Sequence, residues 1–318
     1  MVVSGSIAID RIMRFNGHYR DYIHPDKLDS LSISIFLENQ TDAHGGVGAN
    51  IAYTLALLGD NPILLGSVGG DAESYMQKLA DLGVDISHNH TSSLPTAAFN
   101  VITDSSNNQV GGFYPGAMFD SETLTFEPWR GTNAIAVIAP HDPVGMRRQT
   151  AECRELGLRM LYDIGQQVSN TDGDIMTEGV RAATILIVND YEMTVLSKKT
   201  GISIEEIKST VPIVITTLGE RGSVIEGSSV DGVISIGVVL PHDVVDPTGA
   251  GDAYRAGLLF GYARDWPIQS CAQLGATCAT YAIESTGTQT HQFTFAEVAE
   301  RYQSAFNEPI PITNDKEK

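Results

Sequence analysis

Short apolar runs separated by helical patterns limit most strongly what this chain can fold into. The runs Val2–Ser4, Pro62–Val68, Ala134–Ala139, Leu158–Tyr162, Thr184–Val188 and Ile213–Thr217 are rich in β-branched residues and do not alternate with polar ones. Strands of that kind are covered on both faces, the condition of a parallel sheet built from βαβ units. Between them lie stretches such as Ala49–Leu58 and Glu73–Leu82, followed by Gly59 and Gly83, where glycine suits a left-handed helix end. The pattern predicts an α/β fold with a doubly wound, mostly parallel sheet.

Two stretches break the rhythm. Arg11–Leu37 and Thr96–Tyr114 alternate like strands and carry no crossover helix, so they predict a small antiparallel β lid over the sheet edge. Plain surface hairpins are the other reading of the same pattern. At 318 residues one α/β domain is expected over 1–308, with lid segments at about 11–37 and 96–114 and a loose polar tail at 309–318.

A formal net charge of −19 excludes binding to nucleic acid or an anionic membrane by bulk electrostatics, and no Lys/Arg run offsets it locally. An anionic ligand then needs a local device, such as a helix N-terminus or a cation. Three cysteines, Cys153, Cys271 and Cys278, are too few and too far apart for a disulfide framework or a structural zinc site, and they read as buried thiols. The eight histidines show no metal-ligand spacing. Met1-Val-Val-Ser-Gly5 reads as a strand and not as a targeting segment, and a cytoplasmic protein is expected.

The segment richest in chemistry is Asp246-Pro-Thr-Gly-Ala-Gly-Asp252, leading into a helix of small and apolar residues. Glycines let backbone approach a ligand, and free N–H groups at a helix start bind anions. A carboxylate in that first turn is placed to accept a hydroxyl proton. Taken alone, the same residues also describe an ordinary capped turn.

Other segments are weaker. Gly45-Gly46-Val-Gly48-Ala-Asn50 is neither a dinucleotide fingerprint nor a phosphate loop, but it offers close backbone approach and one amide to a polyhydroxy ligand. Ser6-Ile-Ala-Ile-Asp10 brings a carboxylate toward a strand end, where open α/β sheets bind ligands. Asn189-Asp-Tyr-Glu192 reads either as a helix cap or as a place where Mg²⁺ is met through water. Thr217-Leu-Gly219 is a turn after a strand, open to a nucleotide.

In this order and spacing the segments resemble the ribokinase-like (PfkB) family of carbohydrate and nucleoside kinases. The resemblance implies a three-layer α/β/α fold with a β lid, ATP carried with Mg²⁺, and a phosphotransferase. It implies an anion hole from Gly249, Ala250 and Gly251, Asp252 as base, and substrate contacts at Ser6, Asp10, Gly45, Gly46 and Asn50. It further implies ATP contacts at Asn189, Thr217, Gly219, Thr248 and Gly251, with Asn189 and Glu192 meeting Mg²⁺ through water. Whether a monovalent cation such as K⁺ binds near the Asp246 loop is left open by the sequence.

Within the family, Gly5-Ser-Ile-Ala-Ile-Asp10-Arg-Ile-Met13, Pro25-Asp26, the Gly45–Tyr53 stretch and Tyr114-Pro-Gly-Ala-Met118 are similar to bacterial adenosine kinases. That similarity implies 5′-phosphorylation of adenosine, a role in purine salvage, and a purine slot lined by Phe113, Tyr114 and Met118. Packing of the lid on the sheet is the plainer use of those three. Departures are Asp163-Ile-Gly-Gln166 in place of Asp-Pro-Gly-Gln, Tyr114 in place of His, and Arg255 in place of a small residue; Arg255 is expected at phosphate or in solvent. A ribose or fructose kinase, and a non-catalytic nucleoside-binding regulator, are the alternatives. The expected partners are ATP and a small nucleoside or sugar, with a homodimer compatible.

Overall fold

The computed structural model describes residues 1–311 and, at 25–27, the backbone alone, so the Pro25-Asp26 match and residues 312–318 lie outside the described residues. In the main sheet β1 (Val2–Ser4) lies between β4 (Ile63–Leu65) and β9 (Ile135–Ile138). The sheet continues from β9 through β10 (Arg159–Asp163), β11 (Ile185–Asn189) and β12 (Ile213–Thr217), all parallel. Antiparallel β13 (Ser223–Glu226) and β14 (Ile234–Ile236) close the far edge. The parallel core matches the expectation, and the two edge strands make the sheet mixed.

Strand period decides how the two faces are covered, because successive side chains point to opposite sides. Val3, Val137, Leu161, Ile187 and Ile215 share one face, where they meet α2 (Val47–Leu57), α8 (Ala250–Tyr262), α9 (Ile268–Ile283) and α10 (Phe295–Phe306). Val2, Ala136, Met160, Leu186 and Val214 share the other, under α4 (Pro143–Leu156), α5 (Gly173–Ala182), α6 (Asp190–Thr200) and α7 (Ile204–Thr210). Both faces being apolar explains the unalternating runs in the sequence. Cys153, Cys271 and Cys278 are buried thiols, as their spacing indicated. Ile310 is buried in the first of these layers, so chain packing extends beyond residue 309.

The second sheet is the lid, in the order β3 (Asn39–Gly45), β2 (Ala8–Arg14), β7 (Ala97–Thr103) and β8 (Gln109–Tyr114). It differs from the expected segments in three ways. The first strand begins at Ala8 and not at Arg11, Asn39–Gly45 forms a strand beyond residue 37, and β2 pairs with β7 in parallel. Asn39-Gln-Thr-Asp-Ala-His-Gly45 is mostly exposed, so burial wrote no apolar pattern into it. Between β2 and β3 the chain forms the short helix α1 (Tyr19–Tyr22) and a 3₁₀ turn at Pro25–Ser30. The run Pro62–Val68 divides at Gly66, with β5 (Ser67–Gly69) leaving the main sheet to pair with β6 (His90–Ser92). The helix α3 (Glu73–Asp81) packs Tyr75 and Leu79 into the same layer as Tyr53 of α2.

This topology brings the candidate residues together. The chain leaves β1 at Ser4 and enters lid strand β2 four residues later, passing over the carboxyl edge of the parallel strands. Asp163, Asn189 and Thr217 end β10, β11 and β12 at that same edge.

Candidate active site

The site is built where α2 and α8, which pack against each other, both begin. Gly46 starts α2 with φ of 95°, and a Cβ there would come within 2.5 Å of the Ser6 carbonyl oxygen. Only glycine combines that left-handed backbone with so close an approach. The Ser6 hydroxyl accepts from the Val47 N–H at 3.0 Å, so it serves the helix start and lies in the floor of the site. Gly249 starts α8 with φ of 80°. The Ala250 amide turns back to the Pro247 carbonyl at 3.2 Å. The N–H groups of Gly251 and Asp252 fall in the first turn, which has no helix carbonyl to offer them. They aim the positive end of the helix outward.

Asp252 reaches across to α2, where its Oδ2 accepts from Asn50 Nδ2 at 2.8 Å. Burial pushes its carboxyl up to about 6, against the lowering effects of Arg255 and of the Asn50 hydrogen bond. Asp10, on β2 of the lid, presses its carboxylate against Gly45, where a Cβ would meet Oδ2 at 2.5 Å. Burial likewise lifts Asp10 to about 6, and its charge is felt at Asp252. Both carboxylates thus meet one short segment, Asp10 at Gly45 and Asp252 at Asn50. Carboxylates with raised pKa are suited to exchanging protons near neutral pH.

The expected purine-slot residues separate. Met118 is buried with Ala8 and Ala97 beneath the lid, which is the packing role. Phe113 and Tyr114 are nearly half exposed on β8 at the lid edge, beside exposed Phe99.

Where β11 ends, Asn189 and Glu192 form a reciprocal cap on α6: Glu192 N–H donates to Asn189 Oδ1 at 2.7 Å and Asn189 N–H to Glu192 Oε2 at 2.8 Å. Burial, with the nearby Asp163 charge, raises the Glu192 carboxyl. Thr217 ends β12, and Gly219 turns the chain with φ of 60°. The Asp246 carboxylate ties two loops, accepting from Thr248 N–H at 2.9 Å and from Gly287 N–H at 3.0 Å. No group of three His, Cys, Asp or Glu among the described residues could cage a metal ion. A Mg²⁺ ion carried on nucleotide phosphates with its own waters would meet the Glu192 carboxylate through its hydration shell.

Arg255 is not in solvent. It is buried behind the first turn of α8, with Nε at 2.5 Å from Asp163 Oδ2 and Nη2 at 2.8 Å from Oδ1. Its Nη1 lies 2.8 Å from where a Cβ on Gly251 would stand. Burial loosens its proton, but Asp163 and Asp252 more than compensate and hold it more tightly than usual. Sequence reading misses this pair, although Arg255 itself departs from the family pattern and Asp163 opens a segment that departs at Ile164. It also misses Gln289, which no motif marks.

The model of the pfkB carbohydrate kinase family matches residues 22–294. The chain is 32% identical to a nucleoside kinase of Methanothermobacter thermautotrophicus over 95% of this chain and 99% of the relative. Among solved structures, Burkholderia thailandensis nucleoside kinase in complex with inosine superposes with a TM-score of 0.85 at 33% identity, covering 97% and 98% of the two chains. Methanocaldococcus jannaschii nucleoside kinase gives 0.85 at 28% identity, covering 95% and 97%. With two helix starts converging on one carboxylate and this likeness along nearly the whole length, the chain belongs to the pfkB family of carbohydrate kinases and is a phosphotransferase acting on a hydroxyl group.

Proposed function

We propose that the chain transfers the γ-phosphoryl group of ATP to the 5′-hydroxyl of a purine ribonucleoside. The observation that carries this reading is the pair of partly buried carboxylates, Asp10 against Gly45 and Asp252 bonded to Asn50, at the two ends of one short segment. They divide the work. Among the described residues no side chain donates a hydrogen bond to the Asp10 carboxylate, which suits it to grip the vicinal hydroxyls of a ribose. Asp252 takes the proton of the attacking hydroxyl as its oxygen bonds to phosphorus and the bond to the ADP oxygen breaks.

The first-turn amides of α8 lie where negative charge grows on the phosphoryl oxygens, and the helix dipole adds to them. Arg255, fixed by Asp163 just beneath Gly251, adds positive charge to the same corner. These devices answer the chain's net charge of −19, which by itself repels ATP. Mg²⁺ bound to the nucleotide supplies further neutralisation of phosphate charge. The β2–β3–β7–β8 lid excludes water, and its exposed edge with Phe113 and Tyr114 offers aromatic surface to a base.

Adenosine and inosine are the acceptors proposed first: the former from the adenosine-kinase-like stretches, the latter because it occupies the Burkholderia enzyme. A panel of adenosine, inosine, cytidine, ribose and fructose with Mg-ATP tests the reading by ADP release. Turnover of a purine nucleoside in preference to ribose supports it. Turnover of ribose or fructose alone contradicts it, and binding without turnover across the panel favours a regulatory protein.

A further inference from the structure

We infer that Gln289 is a positioning residue for phosphoryl transfer, which fixes the Asn50 side chain so that its NH2 group faces Asp252. This rests on the proposed role of Asp252 as base. Gln289 lies in the loop between α9 and α10, far from every recognised motif, and is 3% exposed.

The polarity of the network follows from one group that has no choice. The Gly45 carbonyl oxygen can only accept, and it accepts from the Tyr75 hydroxyl at 2.8 Å. Tyr75 has spent its single proton there, so its oxygen can only accept from Gln289, which lies 2.6 Å away through Nε2. Gln289 must therefore present its NH2 group inward. That same group donates to Asn50 Oδ1 at 2.8 Å. With its oxygen claimed, Asn50 has its own NH2 left for Asp252, to which it donates at 2.8 Å. Each step forces the next.

A cost is visible at the same place. Gln289 Oε1 is buried without a hydrogen-bond partner among the described residues. Rotating the amide would exchange its two ends, at the loss of both donations. Buried unsatisfied oxygens are uncommon and ask for a reason; here the reason is the orientation of Asn50. Were Asn50 reversed, its carbonyl oxygen would face the carboxylate of Asp252 and oppose its ionisation.

The charged groups facing Asp252 are Arg255 from its own helix, Asp163 from the end of β10 and Asp10 from β2. Arg255 favours the carboxylate form and the two aspartates oppose it. Asn50 is thus the neutral donor whose orientation decides how easily the base is ionised, and Gln289 sets that orientation.

The test is the pH dependence of kcat/KM for Gln289→Leu, Gln289→Glu and Tyr75→Phe, with the best acceptor of the panel and with Asp252→Asn in parallel. Gln289→Leu releases Asn50, and the acid limb moves to higher pH by about one unit, the worth of a hydrogen bond to a charged group. Gln289→Glu can only accept, so it turns the Asn50 oxygen toward Asp252 and moves the limb at least as far. Tyr75→Phe frees Gln289 to rotate and gives a smaller shift in the same direction, and it carries the test if the Gln289 variants do not fold. Activity reduced by one factor at every pH, with the limb unmoved, overturns the inference and leaves Gln289 a packing residue. Near-normal turnover of Asp252→Asn overturns instead the base assignment on which it rests.

Discussion

Arg255 and Asp163 form a buried ion pair one turn beyond Asp252, with contacts of 2.5 and 2.8 Å. The pair spans from the end of β10 to α8 and packs beneath the Gly251 turn, so it joins the stability of the sheet edge to the placement of positive charge at the site. Removing one member leaves the other charged and without compensation. Asp163→Ala should therefore destabilise the fold by about 3–5 kcal/mol, the usual cost of breaking a buried pair. The double variant Asp163→Leu/Arg255→Met should recover a large part of that, because an apolar pair of similar volume needs no desolvation. Urea unfolding of the three proteins checks both expectations. Equal stability of Asp163→Ala and wild type would mean that the pair is not closed off from water.

The acid limb of kcat/KM should lie near pH 6, well above the range of an ordinary aspartate. Asp252 must be ionised to accept a proton, and burial pushes its carboxyl up to about 6. Activity is then complete above that pH and falls as pH drops through it. Asp10 titrates in the same region, also raised by burial, so the limb should be steeper than one proton. A rate profile between pH 4.5 and 8.5 checks this. A limb near pH 4 would show that the base is hydrated as in open solution.

Asp10 should cost stability at neutral pH. Its folded carboxyl sits near 6 and its ordinary value is 3.8. Below the ordinary value the group is protonated in both states, and its contribution is fully present. As pH rises through about 6 the folded state must carry a poorly solvated charge, and that stability is lost. Asp10→Asn should accordingly raise the unfolding free energy by about 1–3 kcal/mol at pH 8 and change it little at pH 3.5. The same variant should bind nucleoside much more weakly. Thermal or urea unfolding at both pH values, with nucleoside titration, reads the two effects together.

The sequence disclosed those parts of the molecule in which burial constrains residue type. Val3, Val137, Leu161, Ile187 and Ile215 lie on one covered sheet face and their neighbours on the other, so the parallel core was legible as apolar runs. The lid was only half legible, since Asn39–Gly45 faces solvent and its pairing with β2 left no apolar trace. Gly46 and Gly249 were legible because left-handed backbone and close approach tolerate glycine almost alone. Asn50 was read as a hand for substrate; in the fold its amide is held between Gln289 and Asp252. Arg255 is no surface charge, and the sequence could not show its burial against Asp163, which lies 92 residues away in the chain. Contacts of that span leave no local pattern.

The central claim is that Asp252 is the base. Asp252→Asn keeps the shape of the side chain and its place beside Asn50, and removes its capacity to take a proton. The measurement is kcat with Mg-ATP and purine nucleoside, beside the nucleoside dissociation constant by calorimetry. The account predicts a fall in kcat of about two to four orders of magnitude with binding changed only slightly. Turnover within a few-fold of wild type would contradict it.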